Sequence, residues 1–183
     1  KPITLNEDQL SHLINVADQQ ELMLMEAFMY RCHPQLDHLH TLIKEQTIGQ
    51  LTAIRASFGY CADFNPQSRL FKKELGGGAL YDVGCYPSSM VVWLSRVLKE
   101  KWQSSLDQEA IFEVNGRIGA TGVDEKTELH LELSNGMTID LQTSILEDLT
   151  NEVVINGSKG RIIVKTPWLP SSPCRFAEIP LSL

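Results

Sequence analysis

The sequence predicts an α+β domain in which helices pack on one face of an open, predominantly antiparallel β-sheet. Apolar residues repeat at helical spacing in the first half of the chain and alternate with polar residues in the second half. The dipeptide Asn135-Gly136 lies between two alternating runs and is typical of a tight β-hairpin turn. Helical segments followed by consecutive antiparallel strands are characteristic of this fold class.

Most of the predicted helices lie in the first half. Thr4 and Glu7 fit a capping box that opens a first helix, and the short apolar run 21–26 is typical of a buried strand. Pro34 suits the first position of a second helix. Alternating apolar residues at 54–58 then indicate another strand.

A glycine-rich stretch at 76–87, with the sequence GGGALYDVGCYP, opens a third helix and carries two reactive side chains. Asp82 and Tyr86 lie four positions apart, so on a helical turn they share a face. Pro87 is expected to bend this helix and to turn Tyr86 toward whatever the glycines face. The same residues also fit a buried helix start with a hydrogen-bonded tyrosine.

The second half has the period of strands. Residues 128–133 and 137–141 alternate on either side of the Asn-Gly turn, and 153–155 with 162–164 form a second predicted hairpin. Such alternation predicts a sheet with one face against the helices. The opposite face stays open, and an open face of this kind is a usual dimer surface.

Composition excludes several classes of protein. The net charge of −7 argues against a nucleic-acid surface, and no apolar run approaches the roughly 18 residues that span a bilayer. Four cysteines without a CxxC pair predict free thiols and a cytoplasmic location. The histidines do not form a zinc constellation, and no metal site is expected. Because the chain opens on Lys1-Pro2 without methionine, we expect a fragment or a processed product.

Four motifs follow one another along the chain: Lys1-Pro2, EAFMYRCHP at 26–34, GGGALYDVGCY at 76–86, and GVDEKT at 122–127. In this order they resemble the C-terminal part of the glucose–fructose oxidoreductase / inositol dehydrogenase / MocA family. The resemblance covers nearly the whole chain. Tyr86 stands where many relatives carry histidine, which is similar to the glucose–fructose oxidoreductase and dihydrodiol dehydrogenase branch.

The resemblance implies two domains. Residues 1–28 are expected to be the C-terminal remnant of a dinucleotide-binding Rossmann domain, and 29–183 an α+β substrate-binding and dimerisation domain. The chain has no GxGxxG fingerprint, so NAD or NADP is expected to bind mainly to a missing N-terminal domain. The fragment alone is expected to be inactive and to bind no dinucleotide.

The resemblance also implies roles for individual residues. Tyr86 is expected to be the catalytic acid/base with Lys1 as its partner, because a phenol of pKa about 10 is a poor base and a nearby ammonium favours the phenolate. Asp82 and Arg31 are expected to contact substrate, and Lys1, Pro2 and Arg31 to contact the cofactor. Asp82 also fits a first-turn aspartate favoured by the helix dipole, and Arg31 a surface ion pair.

The expected reaction is hydride transfer between the nicotinamide and a hydroxyl-bearing carbon of a sugar, polyol or diol. The glycines are expected to leave room for nicotinamide and substrate beside Tyr86, and Arg69 is expected to be solvated rather than to bind an anion. The expected partners are this small molecule and further copies of the chain, in a homodimer or higher homo-oligomer through the open sheet face. The alternative is a non-catalytic homologue that uses the same face for assembly or regulation.

Overall fold

A computed structural model describes residues 2–98, 111–170 and, for the backbone only, 176–180. Within these residues seven strands form one sheet: β1 (Leu51–Gly59), β2 (Ile111–Ile118), β3 (Asp124–Glu132), β4 (Thr138–Ser144), β5 (Val153–Gly157), β6 (Gly160–Val164) and β7 (Phe176–Pro180). Their order across the sheet is β2-β3-β4-β1-β5-β6-β7. The helices are α1 (Glu7–Gln19), α2 (Pro34–Lys44) and α3 (Cys85–Val97), and a π-helical turn at Leu80–Gly84, the π segment, leads into α3.

The sheet confirms the predicted α+β class and both hairpins. Neighbouring strands are antiparallel except β1 and β4, which run parallel. A parallel pair needs a long crossover, and α3 with β2 and β3 provides one between β1 and β4. The hairpin between β3 and β4 turns at Gly136, whose φ of 78° is readily adopted only by glycine.

Helices α2 and α3 pack on one face of the sheet, as predicted. The strand residues that point to these helices are almost wholly buried: Ile54, Ile139, Val153, Ile155 and Ile162. Burial of each such side chain contributes about 1.5–3 kcal/mol. Trp168, beyond β6, completes this core and donates its indole N–H to the carbonyl of Ser57 at 2.8 Å.

The opposite face of the sheet is polar. A charged row crosses its strands, with His130 Nδ1 2.7 Å from Asp140 Oδ1 and Arg55 Nε 3.5 Å from Asp140 Oδ2. The hydrogen bond to Asp140 raises the pKa of His130 above its ordinary value. Half-buried Val154 and Ile163 lie on the same face. This face therefore carries charges of both signs beside a small apolar area.

Two predictions near the N-terminus are wrong. The first helix is capped by Asn6 rather than by Thr4 and Glu7, because Asn6 Oδ1 lies next to the first turn and accepts the N–H of Gln9 at 2.9 Å. The apolar run 21–26 is neither a strand nor buried. A strand needs a hydrogen-bonded neighbour, and no described strand pairs with this run.

Helix α1 has no buried residue, although Leu13, Ile14 and Val16 are apolar. With the run 21–26 it forms an exposed apolar region, in which Met23 is 91% exposed. No described helix is both long and apolar enough to cross a membrane.

Candidate active site

The three glycines before the π segment are required by the chain's own packing. Gly76 and Gly78 have φ values of 67° and 105°, a region that favours glycine. A Cβ at Gly77 would lie 2.6 Å from the carbonyl oxygen of Leu70, and one at Gly78 would collide with the Asp124 carboxylate. The chain itself therefore fills the space that side chains would take at Gly77 and Gly78, and the expectation that the glycines leave room for nicotinamide and substrate stays a prediction.

The π segment is anchored by Asp124, whose Oδ2 accepts the N–H of Leu80 at 2.8 Å. Asp124 is the first residue of β3, so this hydrogen bond ties the start of the turn to the sheet. Pro87 is the third residue of α3, and the π segment precedes that helix without a break in helical backbone. The irregularity expected at Pro87 therefore takes the form of the π-helical turn that precedes it.

Asp82 and Tyr86 share a face, as predicted, and that face points to β1 and its extension. Tyr60, just beyond β1, donates its hydroxyl to Asp82 Oδ2 at 2.7 Å. The ring of Phe58, two residues earlier, contacts the ring of Tyr86 with centroids 5.2 Å apart. Both reactive side chains therefore lie in the interface between helix and sheet.

Both carboxylate oxygens of Asp82 have partners. Tyr60 binds one oxygen, and the guanidinium of Arg69 forms an ion pair and hydrogen bond with the other. Arg69 also donates to the carbonyl of Gly76 at 3.3 Å, so the expectation that Arg69 is only solvated is wrong. Burial, and then the hydrogen bond to Asp82, raise the pKa of Tyr60 to about 12.

Tyr86 lies in an aromatic cluster and is only 3% exposed. The cluster consists of Tyr86 with Phe28, Tyr30, Phe58 and Trp168. The rings of Phe28 and Trp168 lie 5.5 and 5.9 Å from that of Tyr86, both edge-on. The enclosure fits the alternative of a tyrosine within a buried helix start, and it surrounds the phenol with apolar rings.

Arg31 and Pro2 border a groove of about 730 Å³ between the N-terminal segment and α3. The guanidinium of Arg31 donates to the carbonyl of Ser89 at 2.8 Å and lies 5.4 Å from the ring centroid of Phe28. Its Nε is buried and has no hydrogen-bond partner among the described residues. A buried donor without a partner is costly, so this atom suits a ligand group that accepts a hydrogen bond.

The predicted site residues thus fall into two sets. Pro2 and Arg31 border the groove, whereas Asp82 and Tyr86 face β1, and Lys1 lies outside the described residues. Phe28 joins the two sets, because it borders the groove and contacts Tyr86.

Sequence reasoning missed Tyr60, Phe28 and Phe58 as neighbours of the reactive groups. Of these three residues, only Phe58 could have been placed from a pattern in the sequence. It continues the alternation that begins at Ile54, so it faces the same side of β1.

These observations define an α+β domain that holds a tyrosine and an aspartate between one helix and a sheet, beside a groove. A sequence model of the GFO/IDH/MocA C-terminal domain matches residues 36–163. The chain belongs to this family, which confirms the resemblance found in the motifs.

Relatives of known name agree with this assignment. The chain is 34% identical over 173 residues to the trans-1,2-dihydrobenzene-1,2-diol dehydrogenase of Xenopus tropicalis, covering 94% of this chain and 49% of that protein. It is 30% identical over 171 residues to the enzyme of the same name from Mus musculus, covering 93% of this chain and 48% of that protein. The chain spans about half the length of the curated relatives it matches.

Solved structures share the fold. KijD10, a 3-ketoreductase from Actinomadura kijaniata in complex with NADP and TDP-benzene, aligns with a TM-score of 0.73 at 25% identity, covering 98% of this chain and 56% of that chain. The WlbA dehydrogenase from Bordetella pertussis, in complex with NADH and UDP-GlcNAcA, aligns with a TM-score of 0.75 at 14% identity, covering all of this chain and 51% of that chain.

Proposed function

We propose that this chain is the substrate-binding domain of an NAD(P)-dependent oxidoreductase. The proposed reaction transfers hydride between the nicotinamide and a hydroxyl-bearing carbon of a sugar, polyol or diol. The observation that carries the proposal is similarity over 94% of the chain to an enzyme named as a diol dehydrogenase. We propose residues 1–28 as the end of a preceding dinucleotide-binding domain and 29–183 as the substrate domain.

The groove at Arg31 fits a nicotinamide cofactor or the substrate beside it. The buried Nε of Arg31 can donate to an oxygen of either molecule, and Pro2 borders the same groove. When bound, the cofactor supplies the hydride acceptor or donor. The contribution of Arg31 and Pro2 is to bind and orient it, and Lys1 would join them as the residue before Pro2.

Tyr86 is the proposed acid/base. Alcohol oxidation requires the hydroxyl proton to leave as hydride moves, and a phenolate at Tyr86 would accept that proton. Lys1 would stabilise this phenolate through its positive charge. The aromatic rings around Tyr86 would exclude water, and side chains that cover it would have to move for substrate to reach the hydroxyl, since Tyr86 is 3% exposed.

Asp82 supports this site indirectly. Tyr60 binds one of its carboxylate oxygens and Arg69 binds the other, so a contact between Asp82 and a substrate hydroxyl would have to replace one of these partners. We therefore propose that Asp82 either exchanges a partner when substrate binds or keeps the turn before Tyr86 in place.

Substitution of Tyr86 by phenylalanine tests the proposed reaction. In the full-length protein, Tyr86→Phe is expected to abolish turnover and to leave nicotinamide affinity nearly unchanged, because only the transferable proton is removed. Turnover would be screened over aldoses, polyols and diols with both cofactors, and affinity followed by nicotinamide fluorescence. Tyr30→Phe is the matched control, since Tyr30 is buried in the same cluster and bonds Ser89. Full turnover in Tyr86→Phe would remove Tyr86 from the mechanism.

A non-catalytic role is the second candidate, and the burial of Tyr86 is the observation that favours it. In that case the open sheet face would serve assembly or regulation. The substrate screen separates the two candidates, because a non-catalytic homologue shows no turnover with any substrate and either cofactor.

The open face of the sheet is the proposed surface for a second copy of the chain. It carries Arg55 and His130 beside Asp140, so a two-fold axis could bring unlike charges together around Val154 and Ile163. Cys32 and Cys61 are free thiols, which fits the cytoplasmic location we propose.

Sedimentation velocity tests this assembly. Ile163→Glu is expected to convert the full-length dimer to monomer, because it adds an unpaired charge to the apolar part of the face. Ile163→Val keeps the apolar character and is expected to leave the dimer intact. A dimer that survives Ile163→Glu would place the interface elsewhere.

A further inference from the structure

A cavity of about 170 Å³ lies on the helix-covered side of the sheet, beside the start of α3. Its apolar walls come from two directions. The π segment and α3 contribute one part and strands β2, β3 and β4 the other: Leu80, Pro87, Phe112, Val114, Leu129 and Leu141. Phe112 and Val114, on the outermost described strand at this edge, remain 62% and 53% exposed.

The polar side chains at the cavity are bonded within the protein. Thr127 donates to Asp124 Oδ2 at 3.0 Å and Thr143 to the carbonyl of Ala79 at 3.1 Å.

The remaining two polar side chains of the lining also donate to acceptors within the protein. Ser88 donates to the carbonyl of Gly84 at 2.9 Å, and the amide of Gln142 donates to Glu128 at 3.4 Å. The donors at the cavity wall therefore already have acceptors, and the space favours an apolar occupant over water, which needs two to four polar partners.

We propose that this cavity binds a small uncharged molecule through one apolar ring. Its volume is close to that of an engineered cavity of about 150 Å³ in another protein, lined by Leu, Ile and Phe, which stays dry and binds benzene. The lining offers no charged side chain to hold an ionic ligand. A ring in this position would contact Leu80, Val114 and Leu129 and would cover exposed apolar surface.

The cavity is separate from the proposed cofactor groove. The two share Leu80 and Ser88 as walls, but Arg31 borders only the groove. Neither Asp82 nor Tyr86 lines the cavity. The inference therefore does not depend on the proposed oxidoreductase function.

Methyl-resolved NMR of the full-length protein, titrated with benzene, tests the inference. Saturable shifts are expected at the methyl groups of Leu80, Val114, Leu129 and Leu141, and none at Ile118. Shifts without saturation, or spread evenly over exposed methyl groups, would overturn it.

Two variants locate the site. Val114→Phe fills the cavity from an exposed position and is expected to abolish the saturable shifts, whereas Ile118→Phe, on the same strand outside the lining, is expected to preserve them. Phe112→Ala removes one wall and is expected to weaken benzene binding. Unchanged binding in both Val114→Phe and Phe112→Ala would place benzene elsewhere and overturn the proposal.

Discussion

At the scale of single residues, the carboxylate of Asp82 is held by hydrogen bonds to two other side chains. Its oxygens are bound by Tyr60 and Arg69, and Arg69 also holds the carbonyl of Gly76. These contacts connect the end of β1 to the glycine loop. Removing one partner leaves the others partly buried, which costs more than the hydrogen bond itself contributes.

Tyr60→Phe is expected to lower the free energy of unfolding by about 1.5–3 kcal/mol, because it removes a hydrogen bond to a carboxylate. Urea unfolding measures this loss. Combining it with Asp82→Asn in a double-mutant cycle is expected to give less than the sum of the single effects, since both remove the same contact. Additive losses would show that Tyr60 acts independently of Asp82.

The stability difference between wild type and Tyr60→Phe is expected to depend on pH. The pKa of Tyr60 is raised to about 12 in the folded protein, against about 10 in an unfolded chain. The resulting stabilisation is complete below pH about 10 and is lost as the pH rises through about 12. The stability difference between wild type and Tyr60→Phe should therefore shrink over this range, and parallel pH curves would contradict the assignment.

At the scale of elements, the π segment depends on the glycine before it. Gly78→Ala is expected to lower the free energy of unfolding by about 2–4 kcal/mol, because it strains a φ of 105° and displaces the Asp124 carboxylate that caps Leu80. Gly122→Ala is the matched control: its φ is 79° but a Cβ there meets nothing within 4 Å. It should cost only about 1–2 kcal/mol. If both variants lost the same free energy of unfolding, backbone strain alone would account for the effect of Gly78→Ala.

At the scale of the whole molecule, the apolar region formed by α1 and the run 21–26 contrasts with the buried core. Backbone hydrogen bonds near exposed side chains open readily, whereas those of β1 and β4 lie over buried isoleucines. In the 183-residue chain alone, we therefore expect fast amide exchange in α1 and slow exchange in the central strands.

Amide hydrogen exchange of the full-length protein gives the comparison that tests the proposed domain boundary. If residues 1–28 end a preceding domain, α1 should become protected there while the exchange of β1 and β4 changes little. Equal exchange of α1 in both proteins would contradict the proposed domain boundary.

Local patterns predicted much of the fold. The Asn135-Gly136 turn, Pro34 at the start of α2 and the alternation of the later strands each depend on neighbours in sequence, so they could be read directly. The prediction of a strand at 21–26 was wrong because an apolar run forms a strand only when another strand is present to pair with it.

The sequence by itself determined the α+β class, the family and the common face of Asp82 and Tyr86. Only the tertiary structure decided that this face points to β1, that Arg69 pairs with Asp82, and that the chain fills the space beside the glycines. The physical reason is distance along the chain. Periodicity and turn chemistry act between near neighbours, whereas Tyr60 and Asp82, or Gly78 and Asp124, meet only when the helix packs on the sheet.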